Sequence, residues 1–422
     1  MAIISHNGEI LGGYIQNTDG YALVRFDQTS AYRSATDLDF GSAEYVPWFK
    51  SDGNAFANSV IELLTQNNIN PGILKTKQSF IMGDGIVRYR EEFKKGKRTA
   101  ILIDPTDHAE SYDWLESSNY THEARQTVLD LLWFGNASQV FNFKNNKIVR
   151  VDHLDFSCCR IEKYTKKVEN YLVCSNWQKW RDHAQENSIT KIPAYYREQK
   201  RPYLCQRLLH LKDYMPGYPD YALPSWYGAL NWIKLANLIP IWHISGIKNG
   251  YNIRWHIQIP ESYFEKFEPD KQAEAKERLI KEMNRWLSGA ENVGTAFISF
   301  KKANGTEYDL FTLTPLESQL NDDAFTLLFE QSNMAMTGAH GMAPSLAGVE
   351  TAGKLSSGSE MRNAYSIWIA SHAKLYRELI LKALREVSIV NGWDKTIKFG
   401  IKDTDITTLD QNPTGKQSVI SN

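Results

Sequence analysis

Residues 321–387 decide the fold and read NDDAFTLLFEQSNMAMTGAHGMAPSLAGVETAGKLSSGSEMRNAYSIWIASHAKLYRELILKALREV. Apolar residues in the first part predict a helix that ends at Gly338. Ser357 and Glu360 have capping-box spacing, and apolar residues then recur every three or four positions without a breaker before Gly392. The stretch therefore predicts two helices joined by a Gly-, Ala- and Ser-rich loop that is too poor in apolar bulk to pack.

The second helix is predicted to run for about 30 residues, or roughly 45 Å. A helix of that length exceeds the width of a small domain, so we expect it to span a large assembly or to line its interior. The region is also one-sided in charge, because residues 303–361 contain eight acidic residues and a single base, Lys354. This bias is typical either of an acidic surface with no specific function or of the acidic lining of an interior.

Composition narrows the class of protein. Aromatic residues make up 12% of the 422 residues and charged residues 23%, which indicates a folded chain of two or three domains. The net charge of −1 argues against a dedicated nucleic-acid clamp, which usually has a domain with a pI above about 9. The four cysteines, Cys158, Cys159, Cys174 and Cys205, match no ligand spacing, so we expect no metal and no cofactor.

Two features bear on the compartment. The N-terminus lacks a basic segment followed by an apolar run, so we expect no signal peptide. The most apolar stretch, residues 226–247, is interrupted by polar residues and by Pro240, which argues against a membrane span. We therefore expect a cytoplasmic protein without a membrane partner.

The first half of the chain predicts an α+β domain at residues 46–224, preceded by an arm at residues 1–45 made of short strand-like pieces. A lone Gly83-Asp84-Gly85 favours a tight turn over a phosphate site, because no third glycine and no helix follow. Within the domain the sequence predicts, in order, a helix at 55–65, a charged linker at 91–98, a helix at 121–134, a hairpin of strands 138–143 and 147–154, and strands at 171–177 and 203–211.

Residues 226–247 then predict a helix with apolar positions nearly all round, which indicates burial between neighbours. Pro240 is expected to kink or restart it. Trp226, Trp232 and Trp242 on this helix, with Trp368 on the long helix, are our candidates for an oligomer interface.

A small module follows at residues 251–320, for which we predict a strand, a polar helix and a hairpin. The helix, at residues 269–287, has Glu274–Arg278 and Glu277–Lys281 at i, i+4 spacing, so at least one face meets solvent. Strands at residues 295–302 and 307–312 are expected to pair across Asn304-Gly305. A last strand is predicted at residues 396–401.

Catalytic motifs are weak. The sequence has no GxxxxGK[ST], HExxH or GxSxG motif. His108, between Asp107 and Asp113, could feed an acid–base or metal site, although Asp-Pro-Thr-Asp is typical turn chemistry. His153 and Asp155 share a strand face, and we expect a structural hydrogen bond there. We expect no catalytic residues.

The succession of helix, small module, helix, Gly-rich loop and long helix resembles the portal protein of tailed double-stranded DNA phages. Three strings are similar to that family: LLWFGNASQVFNFKNNKIVRVDHLD at 131–155, LLHLKDYMPGYPDYALPSWYGALNWIKLANL at 208–238, and GAHGMAPSLAG at 338–348. The chain departs from the family pattern at Phe156 and Ser345, where the family usually has proline, and the resemblance covers about residues 45 to 400.

The resemblance implies an α+β portal fold that assembles as a ring, most often a dodecamer, at one capsid vertex. The implied parts are an N-terminal arm (1–45), a wing (46–224), a first stem helix (225–250), a clip (251–320), a second stem helix (321–338), a tunnel loop (339–357), a long wing or channel helix (358–390), and a C-terminal strand and tail (391–422). Such a protein is found in the virion, and in the host cytoplasm during assembly.

The resemblance also implies partners and sites. The implied partners are further copies of the chain, the terminase large subunit, a head–tail adaptor, the major capsid and scaffold proteins, and double-stranded DNA that passes through without sequence specificity. Implied channel residues in the tunnel loop are Lys354, His340, Ser356, Ser357 and Glu350. Implied docking residues in the clip are Glu265, Lys276, Arg278 and Lys281.

The residues alone leave two other classes of protein open. One is a different ring-forming connector or tail protein, which should lack the helix–loop–helix after the small module. The other is a soluble enzyme with a site near Asp107–Asp113, which should have a deep polar pocket.

Overall fold

A computed structural model describes residues 2–6, 9–14, 21–22, 45–48, 55–94, 96–175, 177, 189–198, 206–249, 255–287, 297–301, 312–315, 322–349 and 358–404. The helices are α1 (Phe56–Thr65), α2 (Asn70–Met82), α3 (Ala109–Ser117), α4 (Tyr120–Phe134), α5 (Leu230–Asn249), α6 (Gln272–Leu287), α7 (Asp322–Ala339), α8 (Gly358–Trp368) and α9 (Lys374–Asn391).

The strands are β1 (Ala2–His6), β2 (Glu9–Tyr14), β3 (Tyr21–Ala22), β4 (Gly85–Lys94), β5 (Lys97–Leu102), β6 (Asn136–Lys144), β7 (Lys147–Leu154), β8 (Cys159–Ile161), β9 (Asn170–Val173), β10 (Thr190–Pro193), β11 (Gln206–Lys212), β12 (Trp255–Pro260), β13 (Phe297–Lys301), β14 (Thr312–Pro315) and β15 (Lys398–Lys402). They form five three-stranded sheets in the described part of the chain, ordered β1-β2-β3, β10-β9-β8, β11-β6-β7, β13-β12-β14 and β15-β4-β5. The α+β prediction is confirmed.

Local turn chemistry explains the best-predicted elements. Asn145 and Asn146 both have positive φ, 51° and 63°, which is the backbone that a two-residue hairpin between β6 and β7 requires. Gly135 ends α4 in the left-handed conformation, with φ 71°, and a Cβ there would lie 2.7 Å from the Leu223 carbonyl oxygen. The predicted helix and hairpin are therefore confirmed to within two residues.

An aromatic core centred on Trp48 holds the α+β domain together. Its ring packs on Phe56, Phe156 and Tyr221 at centroid separations of 5.0, 5.3 and 5.0 Å. The buried guanidinium of Arg160 lies 5.6 Å from the same ring. Aromatic pairs at these separations add to the free energy of burial, which ties the segment at Trp48 to α1, β8 and the approach to α5.

The long helix is continuous but not uniform. A π-helical turn, Ile369–Ala373, joins α8 to α9, and Gly392 ends α9 with φ 74°. The helix lies on the α+β domain: Tyr120 donates to the Ile380 carbonyl (3.0 Å), and Asn391 both donates to and accepts from the Ile148 backbone (3.0 and 2.8 Å). The prediction of one helix of about 30 residues is confirmed, with an interruption that the sequence did not indicate.

Two predictions in the first half of the chain are wrong. The charged linker at residues 91–98 is instead the ribbon of β4 and β5. Helix α2 was missed, although Asn67 Oδ1 accepts the amides of Ile69 and Asn70 and Pro71 follows at the first turn. Both cap and proline are signals that sequence rules recognise.

The small module also departs from its prediction. Strands β13 and β14 do not form a hairpin with each other, because β12 lies between them. Strand β12 pairs in parallel with β13 and antiparallel with β14, so the polar helix α6 is the crossover of a β-α-β unit. Helix α5 is continuous through Pro240, so of the two expected effects, a kink or a restart, the restart does not occur.

A buried ion pair fixes α4 to the end of β7. Asp130 Oδ2 lies 2.8 Å from His153 Nε2 and accepts the Phe156 amide at 2.8 Å. Burial raises the pKa of Asp130. Burial opposes the charged form of His153, but the hydrogen bond and the charge of Asp130 outweigh it and raise the pKa of His153. The expected structural role of His153 is confirmed, with Asp130 rather than Asp155 as its partner.

Replacing His153 by Gln should lower the free energy of unfolding by about 3 kcal/mol, because Asp130 is left buried without a cation. Urea unfolding measures this loss. The matched control is His122→Gln on the exposed face of α4, which should change stability by less than about 0.5 kcal/mol. The double variant Asp130→Asn, His153→Gln should recover part of the loss, and equal stability of His153→Gln and the parent would contradict the pair's structural role.

Candidate assembly surface and channel loop

Helices α5 and α7 form a pair that leaves the α+β domain side by side. The pair is anchored at its base by Trp226, whose side chain is fully buried and donates to the Leu132 carbonyl at 2.9 Å. Asn237 on α5 donates to the Leu63 carbonyl (2.9 Å) and accepts from Asn67 (2.8 Å). These bonds fix the direction of α5 against α1 and the turn that follows it.

Further along, the two helices pack through aromatic rings. Trp242 of α5 stacks on Phe325 of α7 with centroids 4.3 Å apart and an angle of 17° between planes. His243 meets the same Phe325 edge-on at 5.6 Å. The pair therefore has its own contact seam, although its other faces remain in solvent.

Those other faces are unusually apolar. Leu238 and Ile241 of α5 are 58% and 54% exposed. The remaining large apolar side chains that this pair leaves exposed are Trp232, Trp242, Ile244, Leu327, Leu328 and Met334. Large exposed apolar side chains concentrated on one helix pair are typical of an interaction surface.

The four tryptophans predicted for an interface divide into two classes. Trp232 and Trp242 remain partly exposed on the α5–α7 pair, and Trp242 also stacks on Phe325. The prediction is wrong for Trp226 and Trp368, because both side chains are buried within the chain. Trp368 packs edge-on against Phe80 of α2 (5.7 Å), so its apolar spacing reflects the core.

A buried polar joint connects the end of α7 to α2. Asn70 donates to Asn67 Oδ1 (2.8 Å) and to the Met336 sulfur (3.0 Å). Its own Oδ1 lies 2.7 Å from His340 Nε2, which must therefore be the protonated nitrogen. His340 Nδ1 is buried and has no hydrogen-bond partner in the described part of the chain. Burial holds the pKa of His340 well below its usual range, so the ring is neutral.

The joint corrects two expectations for the loop. His340 is 2% exposed and belongs to the interior of the fold, not to an open channel surface. The beginning of the loop also packs: Met342 is buried, and Pro344–Ala347 form a 3₁₀ turn against α2 and α8. The small residues do pack, because the neighbouring helices supply the apolar surface that the loop lacks.

The same place holds the π-helical turn. Gly341 has φ +60°, and a Cβ there would come within 2.5 Å of His372 Nε2. The ring of His372 stacks on Trp368 with centroids 5.8 Å apart. Burial lowers the pKa of His372. The left-handed conformation of residue 341 favours glycine there, whereas the ring of His372 could move aside for a side chain.

The remaining predicted channel residues, Lys354, Ser356, Ser357 and Glu350, lie outside the described residues. Of the eight acidic residues predicted around the loop, Glu330 and Glu360 are exposed. The described part of the loop ends at Val349.

The docking residues predicted on the small module lie on its surface or against its aromatic residues. Glu265 is exposed, and Lys276 lies over the buried Phe264 ring at 5.4 Å. Lys281 pairs with Glu277 at 3.5 Å as predicted. Arg278 pairs instead with Glu282, at 3.6 Å. Helix α6 thus presents a mixed-charge face to solvent.

The alternative enzyme site near Asp107–Asp113 has a structural explanation. Arg88 is buried beneath this loop and donates to the carbonyls of Asp104, Asp107 and His108 at 2.9 to 3.0 Å. Asp104 accepts the Thr106 hydroxyl and amide, which lowers the pKa of Asp104. Among the described residues, no group of three or more His, Cys, Asp or Glu is placed to hold a metal ion.

The described cysteines differ in burial, and Cys158 is partly buried. Cys159 and Cys174 are buried, and burial raises the pKa of Cys159 to about 12, so it is a thiol. Cys205 lies outside the described residues. In the described part of the chain, no helix has the length and apolar character needed to cross a membrane.

No protein-family model matches the sequence. No curated protein matches it either. Three solved structures of a gene transfer agent (GTA) particle do contain chains of similar fold. The virion of the native particle gives a TM-score of 0.55 at 14% identity, over 88% of this chain and 88% of that chain. The neck of the empty particle, computed with C6 symmetry, gives 0.56 at 15% identity over 89% of both chains.

The neck of the native particle, computed with C12 symmetry, gives a TM-score of 0.55 at 14% identity, over 86% of this chain and 88% of that chain. These matches span most of the chain. The chain therefore has the fold of a component of a phage-like particle.

Proposed function

We propose that the chain is the ring-forming portal subunit of a phage-like particle, at the vertex where the head meets the tail connector. The observation that carries the proposal is the apolar face that a single chain leaves in water on α5 and α7. The fold shared with virion and neck components of a gene transfer agent particle supports it.

A ring explains the apolar face better than a dimer does. The exposed apolar residues are divided between two helices, with Leu238 and Ile241 on α5 and Leu327 on α7. Such a surface fits a heterologous contact, in which one patch of a copy meets a different patch of the next copy. Such contacts close into rings. The neck of native GTA particles was computed with C12 symmetry, and a dodecamer is our proposal for this chain.

The loop after α7 would then face the axis of the ring. Its beginning is held by the buried joint at His340 and Gly341, so residues 350–357 start from a fixed base. A channel that bound DNA tightly would stall the DNA. Each added phosphate contact strengthens binding at low salt and makes the slope of log affinity against log salt concentration more negative by about 0.9. The acidic bias around the loop, with Lys354 as its single base, avoids this.

The small module at residues 255–315 would form the clip that meets the terminase large subunit and later a head–tail adaptor. Its helix α6 has exposed charges of both signs, among them Glu265, Arg278 and Lys281 near or on it. Charged surfaces of this kind set partner choice and association rate more than affinity. Major capsid and scaffold proteins would meet the α+β domain, and the subunit itself would catalyse no reaction.

Assembly should depend on the apolar face. Replacing both Leu238 and Ile241 by Asp should abolish rings, because burying each side chain stabilises a contact by about 1.5 to 3 kcal/mol. Sedimentation velocity measures the loss of large species. The matched control is Tyr214→Asp, an exposed residue away from the helix pair. Normal ring formation by the Leu238→Asp, Ile241→Asp variant would contradict the proposal.

Reversing charge at Arg278 and Lys281 should spare folding and ring formation, because exposed ion pairs contribute under about 1 kcal/mol. Docking of the terminase should weaken, which a binding assay with purified terminase measures across a salt series. The control is Lys374→Glu on α9. Unaltered terminase binding would show that α6 is not the docking surface.

Replacing Lys354 by Ala should leave rings intact and change how DNA is retained. The effect should be strongest at low salt, where screening is weakest, because the ring multiplies one lysine into a cationic belt. DNA packaging and retention by variant particles measure it, with Lys374→Ala as the control. Behaviour identical to the parent at every salt concentration would mean that Lys354 lies outside the bore.

A further inference from the structure

Two cysteines lie opposite each other where strands β8 and β9 meet. The register pairs Cys159 with Val173, and the Cys174 amide donates to the Cys158 carbonyl at 3.0 Å. This hydrogen bond extends the ladder by one pair, so Cys158 is opposite Cys174. The Cα atoms of a hydrogen-bonded antiparallel pair are about 5.5 Å apart, close to the commonest separation in disulfides, about 5.5 to 6 Å.

The same ladder decides which of the adjacent cysteines meets Cys174. Directly opposed residues project to one face of an antiparallel pair, and successive residues alternate between faces. Cys159 accordingly belongs to the main core, whereas Cys174 packs in a separate small cluster with Trp177. Arg160, two residues after Cys158, lies over the Trp177 ring at 5.2 Å and marks the face of that cluster. Cys158 is therefore the neighbour of Cys174.

The two thiols differ in their access to solvent. Cys158 is partly exposed, and Cys174 is buried. Burial raises the pKa of Cys158 most, Asp155 and Cys174 also raise it, and Ser157 and Arg160 lower it. Cys158 is thus a thiol at neutral pH that a small oxidant can reach, and Cys174 is the thiol beside it.

We propose that Cys158 and Cys174 are a redox pair that closes to a disulfide when the chain meets a disulfide oxidant such as oxidised glutathione. Both cysteines belong to one chain, so the bond needs no ring. It would fix the end of β9 to the start of β8, at the place where the Trp177 indole also donates to the Cys158 carbonyl (2.8 Å).

The exchange consists of two displacements at sulfur. The Cys158 thiolate attacks one sulfur of oxidised glutathione, which forms a mixed disulfide and releases one glutathione thiolate. The Cys174 thiolate then attacks the Cys158 sulfur, forms the bond between the two cysteines and releases the second glutathione thiolate. The protein loses two electrons and two protons, and two molecules of reduced glutathione receive them.

The pair would distinguish two environments. A glutathione-buffered cytoplasm keeps most thiols reduced, whereas disulfides persist outside cells. A subunit of a released particle would therefore have open thiols during assembly and a closed bond afterwards. This use of the pair rests on the proposed function, but the bond itself does not.

Oxidation of the purified full chain tests the pair. The parent protein is equilibrated with glutathione buffers of increasing oxidised fraction, free thiols are blocked with N-ethylmaleimide, and unreduced peptides are analysed by mass spectrometry. We expect the loss of two of the four thiols and a cross-link between Cys158 and Cys174. Fragmentation between residues 158 and 159 shows which of these adjacent cysteines carries the bond, so the assignment needs no variant.

Variants separate the two displacements. Cys174→Ser should stop after the first and accumulate a glutathione adduct on Cys158, whereas Cys158→Ser should keep the Cys174 thiol. Cys205→Ser is the matched control and should form the same bond as the parent. From pH 7 to pH 8 the rate should rise about tenfold, because only the thiolate reacts and its fraction rises tenfold per pH unit below the pKa.

The bond should also raise the Tm of the parent by about 5 °C, because it constrains the unfolded chain, and dithiothreitol should reverse the shift. A bond between Cys159 and Cys174, or four free thiols at every oxidised fraction, would overturn the inference. A Cys158–Cys174 bond that forms only in urea would overturn it as well, because the fold would then hold the thiols apart. Each of these outcomes leaves the proposed ring standing, since ring formation is measured separately.

Discussion

The proposed ring depends on apolar surface that the described part of one chain leaves exposed. Leu238, Ile241 and Leu327 project from α5 and α7 while the ends of these helices are fixed to the α+β domain. Removing such side chains from water stabilises a contact by about 25 cal/mol per Å². The two helices cannot fold back to bury them, because Trp226 and Asn237 hold their direction. Association with further copies, as in the proposed ring, would cover these side chains and leave the fold unchanged.

The second constraint is the buried polar joint where α7, the loop and the π-helical turn meet α2. A buried polar group without its partner costs about 1 to 3 kcal/mol, so Asn70 and His340 accept one arrangement and resist others. Gly341 and His372 are in contact at the same place. π-helical turns are frequent at functional sites. The described start of the loop, up to Val349, is therefore packed between α2, the helix pair and the long helix.

Sequence reasoning succeeded where local chemistry decides the structure. The turn at Asn145-Asn146 and the stop at Gly135 need positive φ, which few residues tolerate, so they could be placed to within two residues. It failed where tertiary contacts decide. Trp226 and Trp368 have the same apolar spacing as interface residues, and only the packing of α2 and α4 shows that they belong to the core. Apolar periodicity indicates that one face of a helix is buried, but it does not identify the surface that covers it.

The β4–β5 ribbon and the order of the small module were missed for a related reason. Charged residues such as Glu91 and Arg98 are usual in linkers, but here their ion pair bridges the two strands β4 and β5. Parallel pairing of β12 with β13 depends on the crossover of α6, which no turn signal announces. The candidate site could be predicted in outline, as a helix pair with a loop and a long helix. His340 could not, because its burial depends on Asn70, 270 residues away along the chain.

The central claim is that copies of the chain assemble into a closed ring. Mass photometry of the purified parent protein, with electron microscopy of the same sample, tests it most directly. The account predicts closed rings of uniform size, with a mass near twelve times the 48.3 kDa of one chain. A stable monomer at high micromolar concentration, with no rings in the micrographs, would contradict it.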